Sequence, residues 1–248
     1  DFEPVKFSTE LVPAADRLPI PDGARGKYAP VPQSRQRFYI WIEKAPAELA
    51  LKVKTKKVWR KREPKIVVHQ ATKEGAKQVM AVDGWGPDNK WHDVTLKTPH
   101  KGLHIVELID GGDYSHVQWP DELPVTLASA LDSPRANNYF RGPWTMYFYV
   151  PKGTKVVAGW AERVATWAPR ISGVLKDSSG HVHVNFARRD DGWFSVNVPE
   201  GQDGTFWRFE KSQGLRRMVT VPPYMAVEPR LLLLPREVVE NDTPPVRE

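Results

Sequence analysis

"FRGPWTMYFYVPKGTKVVAGW", residues 140–160, is the stretch on which the fold turns. Met146, Phe148 and Val150 alternate with Tyr147 and Tyr149, a period of two that sends successive side chains to opposite faces of a β-strand. "PKGT" is a turn, and "KVVAGW" begins the next strand. "QRFYIWIEKAPAELALKV", residues 36–53, has the same grammar: Phe38, Ile40 and Ile42 share one face, Tyr39 and Trp41 the other. Both faces of both strands are apolar. One of them therefore needs cover beyond a partner sheet, from the N-terminal arm, the other domain or a ligand.

Outward from these two strands, short alternating runs and turn signals continue. "PKIVVHQA" and "KQVMAV" pair around "TKEGA", "HDVTLKT" and "GLHIVELID" are strands, and "GGDY" reads as a turn. Later come a hairpin around Asp177 to Gly180 and the strands in "WFSVNVPEGQDGTFWRFEKSQG" and "RRMVTVPP". The halves match in order. Tyr39-Ile40-Trp41-Ile42 recurs as Tyr147-Phe148-Tyr149-Val150, 108 positions on, and Pro64-Lys65-Ile66 as Pro169-Arg170-Ile171, 105 on. Trp91 recurs as Trp193 and Trp119-Pro120 as Val221-Pro222, both 102 on. Offsets that drift slowly, in a preserved order, favour an old duplication with changed loop lengths; the competing reading is that β-sandwiches in general share aromatic strands and Pro/Gly turns.

The sequence thus predicts an all-β protein: two tandem antiparallel β-sandwich domains, jelly-roll-like, behind a Pro-rich N-terminal arm. The arm is expected over 1–35, the sandwiches over 36–130 and 131–236, and a C-terminal tail over 237–248. Phe2, Phe7, Leu11 and Ile20 are poor residues to leave in water, so the arm should lie on a domain surface. The 23 prolines and 17 glycines suit many short strands, and 248 residues with ten tryptophans fill two ordinary cores.

No run of eighteen apolar residues occurs, so no membrane-spanning helix is expected. Zero cysteines exclude disulfides, thiolate metal sites and a cysteine nucleophile. The sequence opens at Asp1 with neither methionine nor a signal-peptide pattern, as in a processed or trimmed chain, and export is the expectation. The net charge of +6 is local: Lys52, Lys54, Lys56, Lys57, Arg60, Lys61 and Arg62 lie within residues 51–62 and exceed it.

Trp59, Trp85, Trp91, Trp160 and Trp167 stand near turns or strand ends. Indole stacks on the C–H faces of sugar rings while neighbouring polar groups bond the hydroxyls. "DGWGPDNKWHD", residues 83–93, has that composition, which makes Trp85, Asp88, Asn89 and Trp91, with Trp59, candidate ligand-binding residues. Gly84 and Gly86 free the backbone around Trp85, which is expected to be exposed; the competing reading is a tryptophan that pins the loop. Lys52, Lys54 and Lys56 alternate with Leu51 and Val53, so their ammonium groups project outward about 6 to 7 Å apart. That face is either a solvated guard on the sheet or a track for an acidic polysaccharide. Nucleic acid is disfavoured, because no recognised motif accompanies the charges.

His181 and His183 share a strand face, but no third ligand pattern attends them, and the metal question stays open. Asp110 and Asp113 in "LIDGGDY" could form a structural calcium corner, although turn formation explains them better. No other cofactor is expected. Glu107 with Asp110 and Asp190 with Asp191 are adjacent carboxylates of the kind any acidic surface supplies. The chain has no nucleophile elbow, P-loop, dinucleotide fingerprint or zinc-protease helix, which weighs against an enzyme.

With its aromatic strands, "PKGT", "GQDGTFWRFE" and "VPPY", residues 140–235 resemble the β-sandwich accessory regions of large exported bacterial proteins. They are similar in style to galactose-binding-like jelly rolls and carbohydrate-binding modules. That resemblance implies a noncatalytic glycan-binding module, secreted or on the bacterial cell surface. The alternatives are a structural or assembly subunit of the cell exterior, packing on itself or on other envelope proteins, and a polysaccharide-degrading enzyme on a sandwich fold.

Overall fold

A computed structural model of the chain describes residues 2–26, 29–58, 63–131, 138–164, 168, 170–187 and 190–244, the side chains of 138, 139 and 141 excepted. The chain is all-β, with several antiparallel sheets and, among these residues, a single short α-helix. After β1 (Leu11–Pro13) come β2 (Val31–Ile42), β3 (Ala47–Lys56), β4 (Lys65–Thr72), β5 (Gly75–Val82), β6 (His92–Thr98), β7 (Gly102–Gln118), β8 (Val125–Ala128) and β9 (Asn138–Arg141). Then follow β10 (Trp144–Val150), β11 (Val156–Glu162), β12 (Ser172–Lys176), β13 (Val182–Asn185), β14 (Gly192–Asn197), β15 (Thr205–Gln213), β16 (Leu215–Met218), β17 (Tyr224–Met225), β18 (Leu233–Pro235) and α1 (Arg236–Asp242). The strands belong to two compact units: one of residues 31–127 and 134–141, the other of residues 1–30, 128–133 and 142–248. The segment read as an arm thus groups with the C-terminal strands.

In the first unit β7 is the hub. Its early part pairs with β2 and β4, and β4 pairs with β5; its late part pairs with β3, which pairs with β6. "GGDY", expected as a turn, lies inside this 17-residue strand. Gly111 and Gly112 take φ of 72° and 107°, values open to glycine, and the kink carries one strand from the first ladder into the second. Asp110 braces the kink by accepting from the backbone N–H of Ser34 (2.7 Å) and Gly112 (3.2 Å) and from the hydroxyl of Ser115 (2.9 Å). Phe38, Ile40, Leu51, Val53, Ile66, Val94, Leu96 and Val106 fill the interior, as their alternation predicts.

The second unit has the same connectivity. β15 pairs with β10 and β12, β12 pairs with β13, and, past Gly214 at φ 82°, β16 pairs with β11, which pairs with β14. Even the irregularities correspond: the β4–β5 register slips between Val68 and His69, and the β12–β13 register between Leu175 and Lys176. Facing sheets meet through Phe194 and Phe209, whose rings lie 5.9 Å apart edge to face, and within its own sheet Phe209 stacks on Phe148 of the neighbouring β10 at 5.2 Å.

All seven residues of β10 are buried. The outward side chains Thr145, Tyr147 and Tyr149 find their cover within the unit. The arm runs along Thr145, where Gly26 donates to Val227 O (2.6 Å). At the other end Asp242 of α1 shares a hydrogen bond with Tyr149 and accepts from Lys152 N (2.8 Å). The first residues of the arm are held by Val5 N to Val219 O (2.9 Å), and β1 pairs with β18. No helix among the described residues is long and apolar enough to cross a membrane.

Candidate functional site

The loop between β5 and β6 splits the predicted residues into two groups. Trp85 is 3% exposed, and its indole N–H donates to Thr55 Oγ1 (3.2 Å), itself bonded to Ser115 Oγ (3.0 Å). This corrects the expectation of an exposed Trp85: the indole fills the interior beneath the loop and ties it to β3. Asn89, at φ 63°, donates from its backbone to Thr55 O (2.8 Å). Asp88 accepts from Lys90 N (2.9 Å) and from His92 (2.9 Å). The bond from His92, with that from Lys90, holds the Asp88 carboxyl below the usual carboxylate range. Asp88 and Asn89 therefore shape the turn, and Trp59 lies outside the described residues.

Trp91 alone of the loop's tryptophans reaches the surface, 42% exposed. Lys54 Nζ sits 4.9 Å from its ring centroid and the His116 ring 6.3 Å away, edge-on. Burial, with the nearby Lys54 charge, pushes the His116 pKa down, which favours a neutral imidazole beside the indole. Lys52, Lys54 and Lys56 point away from the buried Leu51, Val53 and Thr55, as the alternation predicts. Lys52 lies 3.8 Å from Asp93, an exposed pair of little energetic weight.

The second unit has a counterpart that sequence reasoning did not place among the site residues. Trp193, at the start of β14, is 54% exposed, and its ring packs edge-on against Trp160 of β11 at 5.2 Å and tilted against Phe2 at 5.5 Å. β3 and β11 are each the middle strand of their three, so Lys54 and Trp160 flank the exposed indole from the same side of the ladder. The signal that finds Trp193 is the 102-residue spacing from Trp91; Phe2 and His116 carry none.

The remaining candidates are occupied within the fold. His183 bonds Asp177 (2.8 Å) and stacks on Trp207 at 4.8 Å and 9°, while Asp177 also accepts from His181 N (3.0 Å), so the pair locks a hairpin. Asp113 accepts from Val58 N (2.6 Å), and with Asp110 engaged as above, both carboxylates of the candidate calcium corner bond the backbone. No three metal-ligating side chains converge among the described residues. Glu107 accepts from Arg35 and Arg37 (2.6 Å each). Burial works to raise its pKa, but the two arginines outweigh it and hold the carboxyl below its usual range. Asp190 and Asp191 answer Arg170 and Arg163 separately. A scan against protein-family models finds no match, and no curated protein matches the chain.

Proposed function

We propose that the chain is a noncatalytic carbohydrate-binding protein or module, built as two copies of one sandwich. Its contact surfaces are Trp91 with Lys54 and His116 in one copy and Trp193 with Trp160 and Phe2 in the other. The observation that carries this reading is that, among the described residues, the two exposed tryptophans stand at matching places in the two units. A rigid indole held at its edge by neighbours presents an apolar face to the C–H side of a sugar ring. The row Lys52, Lys54, Lys56 beside Trp91 extends the first surface toward acidic polysaccharides. By resemblance, such a module is a secreted or surface protein of bacteria.

The test is a glycan array followed by calorimetry on the intact chain. Trp91→Ala and Trp193→Ala should each weaken binding by about tenfold with no fall in melting temperature, given that an aromatic contact is worth about 1 kcal/mol beyond its buried area. Exchanging Lys52, Lys54 and Lys56 for glutamine should weaken acidic glycans alone and flatten their salt dependence. A wild-type chain that binds no glycan, or tryptophan variants that bind normally, would overturn the reading.

The assembly reading is favoured by one feature, the continuous aromatic cluster of Phe2, Trp160 and Trp193. It requires self-association that Trp193→Ala abolishes without any glycan present, which sedimentation would reveal.

A further inference from the structure

On the outward face of β10 and β15, in the opposite sheet from Trp193, the second unit has a cleft of about 500 Å³, within the range of small-molecule sites. Tyr147, Arg208 and Glu210 line its floor, Lys211 its edge, and Asp22 and Arg25 of the arm its wall. The wall is fixed. Gly26 is pinned to Val227 O, and a Cβ there would strike Thr145 O and come within 2.8 Å of Val227 O. Arg25 is held at 3.0 Å by Glu228, which Arg230 holds in turn at 2.6 Å.

The charged groups inside leave several donors unengaged. Lys176 reaches both oxygens of Glu210 (3.0 and 3.1 Å), and Arg208 Nε bonds one of them (3.1 Å). Glu210 is thereby neutralised and the guanidinium oriented, while the Nη groups of Arg208, the Lys211 ammonium and the Tyr147 hydroxyl have no hydrogen-bond partner among the described residues. Each unit has its own glutamate at this place: Glu107 stands on β7 opposite Arg37 of β2, with Tyr39 two residues further along, and Glu210 stands on β15 two residues from Arg208, the partner of Tyr147. What the second unit adds is the arm wall, which turns an outward face into a concave one.

We propose that this cleft binds a small carboxylate-bearing sugar, a free sugar acid or the terminal uronate of a chain. The Arg208 fork takes the carboxylate with Lys211 beside it, and the Tyr147 hydroxyl takes a ring hydroxyl. The site is separate from the tryptophan surfaces and stands or falls without them.

The experiment titrates the full chain with D-glucuronate, glucose and inorganic phosphate, by calorimetry and by amide chemical shifts. Glucuronate should bind at least about tenfold more tightly than glucose, as a hydrogen-bonded charge implies. Arg208→Gln should remove that preference, Lys211→Gln should reduce it, and Tyr147→Phe should weaken glucuronate about threefold to tenfold. Trp193→Ala should leave glucuronate binding unchanged, which separates failure of this site from failure of the tryptophan surfaces. Should Arg208→Gln not fold, Tyr147→Phe and Lys211→Gln decide the matter alone. Equal affinity for glucose, displacement of glucuronate by an equal concentration of phosphate, or unchanged affinity in Tyr147→Phe and Lys211→Gln would each overturn the proposal.

Discussion

Trp85→Ala is the substitution that separates a loop built to hold a ligand from a loop built to close a core. Trp85 is 3% exposed, so truncation removes a large buried aromatic and leaves a cavity, a change that costs about 3 to 5 kcal/mol where the surroundings relax only in part. The lost indole hydrogen bond adds little, because Thr55 Oγ1 keeps Ser115 as its partner at 3.0 Å. Trp85→Phe keeps most of the filling and leaves a smaller cavity, so it should cost about 1 to 2 kcal/mol. Urea unfolding followed by circular dichroism measures both variants, with the m-value as a check that the unfolded states are comparable. Binding of any glycan to Trp91 should survive in Trp85→Phe. A Trp85→Ala protein within about 1 kcal/mol of wild type would refute the buried placement and return Trp85 to the surface.

Asp110 carries a pH signature. Burial, against the hydrogen bonds from Ser115, Gly112 and Ser34, raises its pKa from 3.8 to about 7. A carboxyl raised by folding stabilises the fold fully below its unfolded pKa, and that contribution is lost as pH climbs from about 4 to about 7, at up to about 1.4 kcal/mol per unit. Asp110→Asn mimics the protonated acid, so its stability advantage over wild type should grow across that window; parallel pH profiles from urea unfolding would sink the assignment. Gly26→Ala should lower the melting temperature and open the arm to limited proteolysis, because its Cβ meets two carbonyl oxygens. Gly23→Ala, with open space around it but φ 64°, should cost only about 1 kcal/mol and leave the arm protected.

Regular alternation was the legible part of the sequence, since a period of two fixes the face of every residue in a strand. The outward lysines of β3, the β4–β5 hairpin and the inward Phe148 follow from it directly. The recurring offsets also carried topology, because strand order is preserved when loops lengthen. Their local values were less secure: pairing sets Val67 level with Val174 rather than Ser172, because β12 slips register against β15 between Ser172 and Val174. Two features had no readable signal. A double glycine serves a turn and a strand crossing between sheets equally well, since both need positive φ, and only the partners of Tyr114 to Gln118 decide between them. Likewise Asp88, Asn89 and the glycines around Trp85 look the same whether they present an indole or tuck it in. The cleft was hidden further still, because its wall comes from residues 21–25 and its floor from residues 145–211.

The same distinction gives the exposed tryptophans their weight. Trp144 and Trp207 are fully buried, and Trp85 nearly so, each with its N–H satisfied by Gly214 O, Gln202 O or Thr55 Oγ1. The fold therefore has interior places that suit an indole and fills them. At the start of β14 the inward position is already taken by Phe194, 4% exposed and packed on Phe186 and Phe209, so Trp193 adds nothing to that core. At the start of β6 the inward positions are Val94 and Leu96, and Trp91 is likewise surplus to them. A polar residue at either place would leave both sandwiches intact and more soluble. Two surplus indoles, each steadied by neighbours that leave it in water, are what the proposed glycan surfaces would explain and core packing does not.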